Sequence, residues 1–309
     1  MKYENGSNQD VIFYLKRKAL KVATEAFALG RFASKETLPQ MNGHQFKVAY
    51  FEHLPDNAIQ PLQEGVGVDG TDLTRVSKTG ALLRQGGFIP YSDEAKEQFD
   101  IEFLDAAVTE LSYSAGTKME KDGFTSLLND AGNVIDVTAV GSWDEALKQA
   151  KLIFRKNNTP KLTAIKTGSV KVGTRPVNAG WYLFASPDDV ESIKTASDWL
   201  SVEDYGYSTD LVQNEEGVIK SLGIRVVSSL NIGSGNCLMI GDGAFADLGL
   251  SGKNRIEVIK NELGSGVVQK ADGTVVADHL KQAGSIAVKT RNSTMTIFPE
   301  RLIRFENLI

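Results

Sequence analysis

An α+β fold is predicted from three features of the chain. One helix is far longer than its neighbours, short apolar strands lie on both sides of it, and a proline- and glycine-bearing excursion with few apolar anchors precedes it. Ile101, Leu104, Val108, Leu111, Ala115 and Met119 recur at steps of three and four, so one stripe of the helix is apolar. From Ile101 to Leu128 only Gly116 and Gly123 interrupt it, which makes a rod on the order of 40 Å long. Globular helices usually run roughly 8–20 residues, so this one reads as the scaffold of something large. Aspartate at Leu104 or Leu111 is expected to prevent folding, because it would place a charge on the stripe.

The other elements follow from local signals. Ile12, Leu15, Ala19, Val22, Ala26 and Leu29 form an apolar stripe, which predicts a helix over 11–29 with Asp10 as N-cap and Gly30 as its end. Phe46–Phe51 and Ala81–Tyr91 read as strands flanking the loop-rich stretch 52–80. Together they predict a long two-stranded arm, which needs a partner surface because an isolated hairpin is unstable in water. Deletion of 55–78 is expected to leave a folded monomer that cannot assemble.

A second helix, Trp143–Arg155, opens with Ser142 as N-cap and Glu145 as third residue, a capping box. Trp181–Ala185 reads as a buried strand, and Ser186-Pro-Asp-Asp opens a helix from 188 to about 195. Strands are expected at 223–228 and at Cys237–Ile240. Alternation in Ser285–Phe305 predicts two more, so the C-terminus is tied into a sheet.

Composition narrows the function. Of 309 residues, 41% are hydrophobic and 24% charged, ordinary for a folded chain. The net charge of −5 argues against a nonspecific grip on DNA or an anionic membrane. A single cysteine, Cys237, cannot form an intramolecular disulfide, and a reducing compartment is expected. The first ten residues lack the apolar core of a signal peptide, and no apolar run is long enough for a membrane span.

No motif carries an enzyme. Gly65-Val-Gly-Val-Asp-Gly70 matches G-x-G-x-x-G but lacks the strand before and the helix after that dinucleotide binding requires. Gly241-Asp-Gly-Ala-Phe-Ala246 does follow a strand, yet no amphipathic helix follows it, and Asp242 has the wrong charge for phosphate. A turn between strands is expected there, with a nucleotide-binding enzyme as the alternative. Gly252-Lys253-Asn254 lacks the upstream glycine of a P-loop. His44, His53 and His279 have no metal-ligand spacing. No catalytic, cofactor-binding or metal-binding residue is assigned, and no cofactor is expected. Asn157-Asn-Thr159 and Asn292-Ser-Thr294 match glycosylation acceptors without a secretion signal. Glu102, Asp105 and Glu110 lie on the polar side of the long helix, a candidate for contact with a neighbouring subunit's arm.

Four passages carry a resemblance. They are Leu62–Val66 with Leu83–Asp93, Phe103–Leu128, Gly180–Asp189 with Leu222–Val227, and Thr296–Ile303. In this order they resemble the major capsid proteins of tailed bacteriophages with the HK97-like fold, in particular the N-four-like short-tailed branch. The resemblance implies an N-terminal arm (1–45), an extended β-hairpin loop (46–90), a peripheral domain with the spine helix (91–160), an axial domain (161–280) and closing peripheral strands (281–309). It implies self-assembly into hexamers and pentamers of an icosahedral shell around double-stranded DNA. A portal, decoration proteins, a place in the virion and assembly in the bacterial host cytoplasm go with it. Some members carry a large N-terminal scaffolding segment. With the long helix starting near residue 100, a separate scaffolding protein is expected instead. An encapsulin-like compartment shell is the nearest alternative.

Overall fold

Two sheets share one long helix between them. The computed structural model describes residues 17–23, 27–39, 45–51, 54, 58–59, 70–94, 100–162, 179–202, 214–252, 254–264, 267–269, 275–278 and 282–308. The helices are α1 (residues 17–23), α2 (Asp100–Asn129), α3 (Val137–Val140), α4 (Trp143–Lys156) and α5 (Pro187–Ile193).

The seven-stranded sheet runs in the order β5 (Asn133–Asp136), β16 (Leu302–Glu306), β10 (Cys237–Ile240), β6 (Trp181–Ala185), β9 (Ile224–Ser228), β8 (Glu215–Ile219) and β7 (Trp199–Ser201). Strands β6 and β10 are apolar at every position because both faces are covered. In β6, Tyr182 and Phe184 face the core under α2, while Trp181, Leu183 and Ala185 face α4 and α5. In β10, Leu238 and Ile240 face the first core and Cys237 and Met239 the second. Helix α4 buries Trp143, Ala146, Leu147, Ala150 and Phe154, the spacing of one helical face. Its Ser142 side chain caps the Glu145 amide at 3.3 Å, as the sequence predicts.

The five-stranded sheet is built on β15 (Ala283–Thr296), a 14-residue strand. Antiparallel β11 (Phe245–Leu250) pairs with its C-terminal end, and β1 (Ser34–Leu38) adds in parallel to β11. Along 283–292, β15 lies between β12 (Ile256–Asn261) and β4 (Leu83–Ser92). Two small hairpins complete the fold: β2 (Gln45–Phe51) with β3 (Arg75–Ala81), and β13 (Val267–Gln269) with β14 (Val275–Ala277). The sheets interleave the chain. The seven-stranded sheet takes strands from 133–136, 181–240 and 302–306, whereas β11 and β12 pair with β15.

Helix α2 has 30 residues, about 45 Å of rod. It packs chiefly on β15. Its buried positions include Val108, Ser112, Met119, Glu120, Phe124 and Leu127. The stripe is therefore rotated from the predicted one: Leu111 and Ala115 are only partly buried. The side chains of Ile101, Glu102 and Leu104 lie outside the described residues. At Gly123 a Cβ would stand 2.8 Å from Leu29 and 3.0 Å from Thr294, so a glycine lets the helix press onto β15.

Three expectations are corrected. Residues 27 and 28 are not helical, and Gly30 is not a left-handed cap. It sits in a 3-10 turn, Leu29–Arg31, where the Phe27 ring comes within 2.4 Å of the space a Cβ would take. The second strand of the arm is Arg75–Ala81, read from sequence as loop, because Arg75, Ser77 and Thr79 alternate outward against β2. The segment 83–92 instead pairs with β15 in the body. Deleting 55–78 would therefore cut into β3 and strip the pairing from β2.

Candidate functional site

The surface with the most unsatisfied chemistry is the β2–β3 hairpin and the strand that follows it. One face of the hairpin is anchored: Phe46, Val48 and Tyr50 pack on Leu82, Ala246, Leu248, Met295 and Ile297. Tyr50 and Phe298 stack with ring centroids 4.7 Å apart. The other face, with Lys47, Ala49, Phe51, Arg75, Ser77 and Thr79, is exposed. Phe51, Leu54, Ile59, Leu73, Leu83 and Phe88 are exposed, Ile59 at 90%; elsewhere among the described residues Tyr113 and Leu230 line one cleft, and Val134 and Leu152 are also exposed. Exposed apolar side chains gathered within residues 51–88 suit a protein contact. No described residue of the same subunit covers them.

Helix α2 contributes less to that surface than its sequence suggests. Glu110 is exposed, as expected. Asp105 instead forms an ion pair with Lys18 of α1, so it holds this chain's own N-terminal helix. Glu102 lies outside the described side chains. Further along, Lys118 pairs with Asp122 at 2.5 Å, and Asp122 accepts from Gln85 of β4 at 2.7 Å, tying the helix to the strand.

The motifs separate cleanly. Gly241–Ala246 is a turn from β10 into β11, strand to strand, without the helix that would hold a phosphate. Its Gly241 and Asp242 amides donate to Arg301 and Pro160 carbonyls, and Gly243 takes φ +68°. Of Gly65–Gly70 only Gly70 is described, and His44, His53 and His279 all lie outside the described residues. Among the described residues no group of three or more His, Cys, Asp or Glu side chains could hold a metal ion. Nor is any helix long and apolar enough to cross a membrane. Cys237 is wholly buried, and burial, with Asp189 nearby, pushes its thiol well above the usual range, so it is a core residue rather than a nucleophile. Asn292 is buried in β15 and closed to glycosylation in the folded chain.

Among the buried carboxylates that escaped the sequence reading, Glu215, Glu120 and Asp247 join separate segments. Glu215 pairs with Arg225 at 2.6 Å between β8 and β9. Glu120 accepts from Asn231, and burial raises its pKa while Asn231 and the Leu29 and Ala28 amides lower it. It thereby joins α2 to the N-terminal 3-10 turn and the loop after β9. The available signal was a lone acid on an apolar face, which periodicity alone does not separate from a surface residue.

Asp247, in β11, pairs with Arg255. Burial raises its pKa to about 6, against lowering by Arg255, Lys35 and Asn292. The folded state thus holds this proton more tightly than an unfolded aspartate near 3.8. Its stabilising contribution is complete below that value and is lost as pH rises through about 6, a change of roughly 3 kcal/mol. Asp247→Asn is expected to flatten the melting temperature between about pH 4 and 6.5 relative to the parent chain. An unchanged pH profile in calorimetry would remove Asp247 as its source.

No protein-family sequence model matches the chain, and no curated protein matches it. Solved structures do. A chain of the capsid of Cyanophage P-SCSP1u is 10% identical, with a TM-score of 0.60 over 89% of this chain and 86% of that one. A chain of the head of Helicobacter pylori bacteriophage KHP40 is 15% identical, with a TM-score of 0.58 over 92% and 89%. A chain of a virus-like particle from Pyrococcus furiosus is 14% identical, with a TM-score of 0.55 over 94% and 98%. The fold of this chain is therefore the HK97-like fold of these shells.

Proposed function

We propose that the chain is a major capsid protein that assembles into the icosahedral shell of a tailed bacteriophage around double-stranded DNA. The observation that carries this reading is a fold shared nearly end to end with phage shells, with a long hairpin whose outward face meets nothing described in the same subunit. A subunit that buries its own core but leaves a long hairpin bare is incomplete alone, and further copies complete it. In this reading the chain is not an enzyme and resides in the virion. Residues 1–45 serve as N-terminal arm, 46–90 as extended loop whose final stretch from Leu83 is paired onto β15 in the body, 91–160 and 281–309 as peripheral domain, and 161–280 as axial domain. Hexamers and pentamers form the shell, with a separate scaffolding protein, a portal and decoration proteins as partners, assembled in the host cytoplasm. The four resembling passages favour the N-four-like branch.

Negative-stain microscopy of the purified full-length protein is expected to show shells or five- and six-fold capsomers. A monodisperse monomer at high concentration would overturn the reading. The likeness to the Pyrococcus furiosus particle favours one second reading, a compartment shell. Particles isolated from the native source separate the two: DNA with a unique portal vertex supports the capsid, and a protein cargo supports the compartment.

A further inference from the structure

A cleft of about 530 Å³ lies where α1, α2, the start of α5 and the loop after β9 meet. Among the described residues that line it, Glu120 alone carries a charge. Glu120 is 2% exposed. Its Oε2 accepts from the Asn231 side-chain amide, and the Ala28 and Leu29 amides and Ser229 favour its charged form. Its Oε1 is buried and makes no hydrogen bond. No cation of the chain offsets the charge: burial raises the pKa, and every group that lowers it is neutral. Buried polar atoms are nearly always hydrogen-bonded, and a buried carboxylate without a cation is costly. Oε1 therefore calls for a donor that the described chain does not supply.

The remaining walls define the donor. Tyr113 and Glu120 are seven residues apart on α2, two turns and about 10 Å along one helix face. Tyr113 is 54% and Leu230 78% exposed, so an aromatic ring and an alkyl side chain stand at the mouth while the carboxylate lies buried. Val22 and Pro187 add apolar wall. A hard metal ion suits such a place poorly, because it takes about six oxygen ligands, usually with several carboxylates. An organic cation suits it well. An ammonium supplies N–H donors to Oε1 as a charge-assisted bond, its methylenes lie against Val22 and Leu230, and the Tyr113 ring attracts positive charge at its face.

We propose that this cleft binds an alkylammonium group, with Glu120 as its counter-ion and Tyr113 and Leu230 flanking the alkyl chain. A free polyamine and the lysine side chain of a protein partner share this chemistry. The inference goes beyond the shell reading and does not depend on it, because the cleft lies within one subunit.

Calorimetric titration of the full-length protein with spermidine at about 50 mM NaCl, where screening is weak, tests it. Saturable binding is expected. Glu120→Gln keeps the shape of the side chain and an oxygen for Asn231, and is expected to weaken binding about tenfold or more. Tyr113→Ala is expected to weaken it about threefold. Glu110→Gln removes an exposed acid of the same helix outside the cleft and is expected to change nothing. Affinity that survives Glu120→Gln, or that falls as much with Glu110→Gln, is general attraction to an acidic surface and overturns the proposal. Absence of saturable binding overturns it as well, and so does equal binding of calcium chloride. Should Glu120→Gln fail to fold, Tyr113→Ala still decides, since an unchanged affinity removes the site. Nα-acetyl-lysine amide separates the two sources: tighter binding of spermidine assigns a free polyamine, and tighter binding of the lysine derivative assigns a protein partner. Lost binding in a chain that still assembles sinks the cleft alone, whereas a chain that binds but never assembles sinks the shell reading alone.

Discussion

Phe184→Ala is expected to lower stability by about 3–5 kcal/mol, the range for truncating a fully buried aromatic. Phe184 is 0% exposed, in the middle of β6. Its ring meets Phe32 edge-on at 4.9 Å between centroids and Phe124 of α2 at 5.4 Å. Phe32 in turn lies 4.9 Å from Tyr182. One side chain thus joins the seven-stranded sheet, the long helix and the segment after the 3-10 turn. The surrounding backbone belongs to three different elements and cannot collapse into the void together, so the cost falls toward the upper end. Total stabilities are about 5–15 kcal/mol, so a large fraction is lost and the melting temperature falls by about 10 °C. Phe88→Ala, on an exposed face of β4, is expected to change stability by less than about 0.5 kcal/mol. Thermal unfolding of the pair checks both, and a small shift for Phe184→Ala would mean that the aromatic junction does not hold the elements together.

Replacing residues 52–74 by Asn-Gly is expected to abolish assembly with little change in stability. Phe51 and Arg75 are cross-strand partners, so a two-residue turn closes the hairpin without altering its register. The anchored face, Phe46, Val48 and Tyr50, keeps its packing. What disappears is the acidic, apolar-bearing segment that the subunit's described core does not use. Deleting 55–78 is a poorer experiment, because loss of part of β3 unpairs β2 and confounds folding with assembly. Light scattering for assembly and calorimetry for folding separate the outcomes, and normal shells from the Asn-Gly chain would refute the role given to the arm.

Much of this fold is legible in local patterns because the deciding interactions are local. A serine before an apolar-periodic run caps α4, a proline-opened turn starts α5, and unbroken apolar runs become the strands β6 and β10. Arg75–Ala81 was misread for the opposite reason. It is a polar strand whose pairing comes from β2, twenty-four residues upstream at the Phe51–Arg75 pair, and no periodicity within seven residues reveals a partner supplied from elsewhere. The stripe of α2 was misplaced likewise. Glu120 is buried where the Asn231 side-chain amide of another segment donates to it, and Ser112 where it donates to the Val108 carbonyl one turn back in its own helix at 2.6 Å. Hydrophobicity alone assigns such residues to the surface.

The sequence by itself determined that the chain is α+β, that one rod-like helix dominates it, and that residues 52–74 are acidic and poorly anchored. Each follows from side-chain chemistry along the chain. Only the tertiary structure decided which strands share a sheet, and so which side chains meet. Arg84 and Arg291 are 207 residues apart in sequence yet directly opposite across a ladder. Long-range strand pairing is set by burial summed over the whole sheet, and that sum is not written in any one segment.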